Sequence, residues 1–401
     1  MLRYTFPGTP PMQMQMQSVQ ASERDGMTQT TERFQIIKLA SPSIANTTFH
    51  PLLLKPWNLI QVSQTTDDGI YYTGAEGNLS ASPGGPILPQ SEYFNFDTSL
   101  GHGRGIIWLG GHYAVVQNND PLVTTPNELN TSPAAEVAFD GTYPLLPVAL
   151  ADLEWLNGTI TNHLTFQTGQ YLGSQTNGIL RLFDEMEFVV GLDEIPDTIL
   201  DIDSNEIPNP NADPGQPVLG EPVISGNNTI SPSISVDVTD PDFTDPVSGT
   251  QYKTSGIYKV YITYTVIAPL ATSGAWQSLE LTAGGVAECA TGTHTYSLPG
   301  NPLPAGNIAY FIQVMDCSGN VSFATQGDQY YTITKLPTYA VSGNAGVSGV
   351  TITYTGGSTT ADTAGNYAFT VPSGWTGTVT PSKTGYRFAP VSRSYTYPIT
   401  S

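Results

Sequence analysis

An all-β chain divided into several domains is what this sequence predicts, on three grounds. Its 401 residues hold 40 Gly, 32 Pro and 21 Tyr with only 12% charged residues, a composition that favours short strands and tight turns over helices. Apolar residues recur at a period of two. Clusters of Asp, Asn, Gly and Pro punctuate the apolar runs where chain reversals are needed. The length suits two or three domains, each large enough to bury its own core.

The first block of strands is expected over residues 44–193. It holds Leu59 to Val62, a turn at Asp67-Asp68-Gly69, then Ile70 to Thr73, Gly105 to Leu109, Tyr113 to Val116 and His163 to Thr168. The Ile179 to Val190 stretch reads as a pair, because Leu180 and Leu182, then Met186, Phe188 and Val190, alternate with polar neighbours such as Arg181 and Glu187. Residues 194–220 read as an acidic linker. From Leu192 to Pro217 the chain carries seven acids, no base and five prolines, too little apolar surface to order itself. Asp201-Ile-Asp-Ser-Asn-Glu206 alternates oxygen ligands as a calcium loop does. It lacks the central Gly and the closing bidentate Glu, and a solvated charge run is the competing reading.

A second domain is expected over 221–335. There Tyr258, Val260, Ile262, Tyr264 and Val266 alternate with Lys259, Tyr261, Thr263 and Thr265 as a half-buried strand with one inward face. A third, compact domain is expected over 338–401, small enough that its core is marginal on its own.

The formal net charge of −21, from 13 basic and 34 acidic residues, would repel a polyphosphate backbone, which argues against a nucleic-acid partner. No run of about 18 apolar residues is present, so no membrane span is expected.

Three motifs of the first block carry a resemblance. Gly77-Asn-Leu-Ser-Ala-Ser-Pro-Gly-Gly-Pro-Ile-Leu-Pro89, Gly141-Thr-Tyr-Pro-Leu-Leu-Pro-Val148 and the Gly178 to Val190 strand pair, in that order, resemble the propeptide domain of gingipain-type cysteine peptidases. That resemblance implies a module that assists folding of a caspase-like catalytic domain and holds it inactive. The expected catalytic domain does not follow. In the second domain Tyr310-Phe-Ile-Gln-Val-Met-Asp-Cys-Ser-Gly-Asn-Val-Ser-Phe323, with the Trp276-Gln-Ser-Leu strand, is similar to immunoglobulin-like modules of bacterial surface proteins, implying a seven-stranded sandwich. Val347 to Tyr354, Asp362 to Val371, Gly374 to Pro381 and Gly385 to Pro390 resemble the carboxypeptidase regulatory-like, transthyretin-type sandwich. These resemblances imply an exported protein, extracellular or on a cell surface. Met1 to Met27, rich in Gln, Met and Pro, has no apolar run of about 7 residues such as a secretory leader carries. Residues 1–43 therefore read as a disordered tract, with the true start upstream or the chain a fragment.

Candidate chemistry is sparse. Cys289 and Cys317 suggest a disulfide worth about 3 kcal/mol on chain-entropy grounds. The alternative, a thiolate activated by His294, would place both groups on one β edge. Leu100-Gly-His-Gly-Arg-Gly105 matches the Gly-His-Gly strand end that holds the catalytic His in gingipain-type enzymes, but no Cys follows at the spacing the family needs, so His102 reads as a turn residue. Arg104, on the same glycine-flanked turn, is expected either to be solvated or to be presented to the acidic pocket of an Arg-specific peptidase. Asp237, Asp240, Asp242 and Asp245 share one loop with two prolines, where a Ca2+ ion or solvent alone would sit; otherwise no cofactor is expected. His50, His102, His112, His163 and His294 are too scattered for zinc. Trp375, Tyr386, Phe388, Tyr395 and Tyr397 could stack on a sugar or fill the third core. The expected function is thus non-catalytic: a prodomain-like module with spacer or adhesion domains, whose partner is a cysteine peptidase or a cell-surface component. The alternatives are a remnant of a cysteine endopeptidase precursor and a carbohydrate-binding surface module.

Overall fold

The computed structural model describes residues 34–38, 43–44, 47–56, 62–66, 69–73, 79–80, 84–89, 92–96, 102–119, 121, 123, 139–154, 160–174, 177–195, 198–200, 206–209, 211–268, 271–300 and 302–396. The Met1 to Met27 tract, the Asp67-Asp68 turn and Tyr397 lie outside them. Among the described residues every regular element is a strand and the named ladders are antiparallel, as an all-β multidomain chain requires. Two compact units form. One comprises Met1–Val223, Ile234–Pro299 and Ala309–Thr332; the other comprises Ile224–Ser233, Gly300–Ile308 and Ile333–Ser401.

The larger unit is organised by one 18-residue strand, His102–Asn119, which replaces the two short strands expected there. Its first half pairs with Met186–Asp193, from His102 opposite Asp193 to Gly110 opposite Glu187. Its second half pairs with Asn177–Phe183 on one edge and, from Gly111 to Ala114, with Ser273–Leu281 on the other. The exchange of partners occurs at Gly110-Gly111. Gly110 has φ +137°, and a Cβ there would lie 2.2 Å from the Trp276 carbonyl oxygen; one on Gly111 would lie 2.0 Å from that of Glu185. Only glycine allows the neighbouring backbones so close.

Strand Ser273–Leu281 continues the sheet to Ile257–Val266 and Gly306–Asp316. The structure therefore divides the chain differently from the separate 44–193 and 221–335 domains expected, because those two blocks share a sheet and a core. Trp108, Tyr113, Phe183 and Phe188 from the first block are buried with Trp276, Phe311 and Tyr330 from the second. Trp108 meets Trp276 at 5.2 Å and Phe183 at 5.6 Å between ring centroids, and Trp276 meets Tyr330 at 4.8 Å.

That shared core explains a second difference. Strand Ile257–Val266 has the expected alternation, yet both its faces are covered: Tyr261, Thr263 and Thr265 are as buried as Val260 and Ile262. The polar side chains on the second face are bonded to the first block. Thr263 Oγ1 donates to the Trp108 carbonyl at 3.2 Å, and the Tyr113 and Thr265 hydroxyls are 2.7 Å apart. Gln313, fully enclosed, accepts from the Trp108 N–H at 3.0 Å and donates back to its carbonyl at 2.8 Å. The buried Trp108 N–H and carbonyl thus have side-chain partners, as burial demands.

The smaller unit has its own core of Val341, Val350, Ile352, Ala361, Phe369, Val371, Trp375 and Val379. Thr338–Asn344 pairs with Asn366–Pro372, and a four-stranded sheet holds Thr351–Tyr354, Gly357–Thr360, Gly377–Ser382 and Arg393–Tyr395. Alternating inward residues on both sheets make this a small β-layered unit.

Candidate functional site

Arg104 is not at an exposed tip. It lies inside strand His102–Asn119, with its side chain 7% exposed, and its Nη2 donates to Asp193 Oδ2 at 3.4 Å and to the Ile195 carbonyl at 2.8 Å. The expectation of an inhibitory arginine offered to a peptidase pocket is therefore corrected: the ladder with Met186–Asp193 brings Asp193 and Ile195 within reach of the guanidinium, which they hold. His102 shares that strand and is half-buried, so it is not a turn residue.

The acids expected to hold a cation together are separated by the geometry of strand Ser233–Asp240, where exposed and buried residues alternate. Asp237 is exposed and accepts from Thr295 Oγ1. Asp242 pairs with Lys253 and accepts from the Thr254 N–H, which hold its carboxyl below the usual range. Asp245 caps its own loop by accepting from Val247 N at 2.7 Å, and this backbone bond lowers its pKa as well. The four-acid loop is corrected to one contributor, Asp240, which faces inward at the end of the strand.

There Asp240 meets two acids from distant parts of the sequence. Asp213, Asp240 and Asp316 are 3%, 2% and 0% exposed, and each offers a carboxylate oxygen within 4.8 Å of the others. Asp213 lies in the segment expected to be a solvated linker. Its neighbours Asn209 and Ala212 are buried too, and Glu206–Pro208 pairs with Thr198–Leu200, so the part of that segment within the described residues is folded. Residues 201–205 of the expected calcium loop lie outside the described residues.

Three local devices hold the trio. Asp213 Oδ1 accepts from Gly215 N at 3.1 Å and Oδ2 from Ser255 N at 2.7 Å. Asp240 Oδ2 accepts from Thr254 Oγ1 at 2.5 Å and Gly256 N at 2.8 Å. Asp316 Oδ1 accepts from Ser318 N and Asn320 N at 2.9 and 2.8 Å, and Oδ2 from Asn320 Nδ2 at 2.8 Å. Asn320 Nδ2 also donates to the Asp213 carbonyl at 2.7 Å, stitching the two segments together. Asp240 Oδ1, by contrast, is buried with no hydrogen-bond partner. Burial raises the pKa of all three, most strongly Asp316; the charge of Asp240 adds to the rise at Asp213 and Asp316.

The Asp-x-x-Gly-Asn turn that carries Asp316 is fixed from two further sides. Cys317 is bonded to Cys289 with Cα atoms 5.7 Å apart. Gly319, at φ +91°, packs backbone to backbone against Gly191 of the first block, where a Cβ would lie 3.0 Å from the Gly191 Cα. The Asp316 turn is the signal that the sequence offered for this site; nothing in the linker composition pointed to Asp213.

Of the aromatics considered for sugar stacking, Trp375 is buried and Phe388 and Tyr395 pack on the same core. Tyr386, 50% exposed, lies on a shallow groove of about 650 Å³ with Lys383 and Val391. Among the described residues that leaves one exposed ring where a platform needs several.

No family model matches this chain, and no curated protein matches it. Among solved structures it is similar to the complex of the pro- and mature domains of RgpB from Porphyromonas gingivalis, at 16% identity and a TM-score of 0.27, over 41% of this chain and 84% of that one.

Proposed function

We propose that this protein is an exported, non-catalytic β protein that acts through its surfaces, with a prodomain-like first block able to restrain or chaperone a cysteine peptidase and later segments serving as spacer or adhesion modules. One observation carries the reading. The chain has two cysteines, and both are joined in the Cys289–Cys317 disulfide. Cysteine-type chemistry needs a thiolate, and this bond leaves no thiol to supply one. Disulfides of this kind persist in oxidising compartments, which supports export. The core shared between the two blocks favours a rigid scaffold that presents loops over one that moves during turnover.

The test uses the purified full chain. It is expected to leave Arg- and Lys-amide substrates intact and to slow a gingipain-type peptidase when added in excess. Amide turnover abolished by Cys289→Ser or by changing His102 would overturn the non-catalytic reading. Absence of any effect on the peptidase would remove the prodomain role and leave the scaffold. Arg104→Ala is expected to change stability rather than inhibition, because its guanidinium is committed to Asp193 and Ile195.

A further inference from the structure

Three carboxylates enclosed together raise the question of what balances them. Among the described residues, no lysine, arginine or histidine pairs with Asp213, Asp240 or Asp316; the basic groups nearby in sequence are engaged elsewhere, Lys253 with Asp242 and Lys259 with Glu280 and Glu288. Both oxygens of Asp213 and both of Asp316 already accept from N–H donors, an arrangement that suits the ionised form. One oxygen, Asp240 Oδ1, is sealed from solvent and bonded to nothing. An orphaned buried acceptor is costly unless a ligand outside the protein satisfies it.

We infer that Asp213, Asp240 and Asp316 form a binding site for a hard divalent cation, Ca2+ being the ion that the donor set suits best. Every group offered is oxygen, with no imidazole or thiolate, which disfavours Zn2+ and Cu2+ and favours the alkaline-earth ions. The cation joins the 209–215 segment, the end of strand Ser233–Asp240 and the 316–320 turn. Since that turn is also tied to Cys289 and seated on Gly191, the ion acts as a clasp that holds the acidic segment onto the shared core. This goes beyond the proposed function and does not depend on it: a scaffold, an inhibitor or a remnant would each keep the clasp.

The full chain, stripped with a chelator, is titrated with Ca2+ while thermal unfolding and native mass are followed. One ion per chain is expected, and Tm rises by roughly 5–10 °C at about a hundredfold excess over Kd. Asp240→Asn keeps the shape but removes the charge at the orphan oxygen; it is expected to abolish both the mass increment and the Ca2+ response, whereas Asp245→Asn keeps both. A response to Mg2+ in place of Ca2+ would support the site with the smaller ion. No bound ion and an unchanged Tm, or an equal response in Asp240→Asn, overturns the inference. Should Asp240→Asn fail to fold, Tb3+ luminescence on the wild-type chain decides: displacement of a single Tb3+ by Ca2+ supports the clasp, and absence of a saturable signal sinks it.

Discussion

The loop acids Asp237, Asp242 and Asp245 and the enclosed trio of Asp213, Asp240 and Asp316 are the same residue type in opposite physical situations. The loop acids are exposed or locally capped, and the two with a resolved shift are stabilised as anions by Lys253 and by backbone N–H groups. In the trio, burial opposes ionisation at each site, and the neighbouring carboxylates add to it at Asp213 and Asp316. Proximity in sequence made the first set look like a ligand cluster; a strand, a loop and a turn from three segments made the second. Charge density along a chain is therefore a poor guide to charge density in space, because solvent relieves repulsion at a surface and a core does not.

The comparison can be broken most severely at Asp316. Replacing it by Ala leaves the N–H groups of Ser318 and Asn320 without their side-chain acceptor and the Asn320 amide with the Asp213 carbonyl alone. A loss of about 3–5 kcal/mol is expected, read as a lower urea midpoint for the larger unit; a loss below 1 kcal/mol would mean that the turn does not organise the trio. Next in size is Cys289→Ser with Cys317→Ser, which frees the same turn from its covalent anchor and is expected to cost about 3 kcal/mol by chemical denaturation. Asn320→Ala removes only the stitch between Asp316 and the Asp213 carbonyl. It is expected to cost about 1–3 kcal/mol, with faster proteolysis of the 209–220 segment as the specific readout. Smallest are Asp242→Asn and Asp245→Asn, for which no resolvable shift of the midpoint is expected, since exposed acids with local partners contribute little. A large effect at either would erase the distinction between the two regions.

Much of the fold was legible. Alternation at period two marked Ile257–Val266 and the two strands Asn177–Phe183 and Met186–Asp193, which pair with the two halves of His102–Asn119 rather than with each other as expected, because side chains on a pleated strand point alternately to either face. The same parity was the overlooked clue at the acids: Asp237 and Asp240, three apart on one strand, cannot face the same way. Arg104 departs from the expected turn because of its glycine neighbours. Glycines on either side suggested a turn, whereas Gly105 is small so that Val321 and the Gly319 carbonyl can approach, a Cβ there falling 2.6 Å from Val321 Cγ2.

By itself the sequence determined that the chain is built of strands, that it is strongly acidic and that Cys289 and Cys317 are its two cysteines, since these follow from residue types and local periodicity. Only the tertiary structure decided that two blocks share one core, that the second face of Ile257–Val266 is covered, and that an apparent linker delivers Asp213 to Asp240 and Asp316. Those outcomes depend on which surfaces meet, and burial is a property of the meeting rather than of either segment.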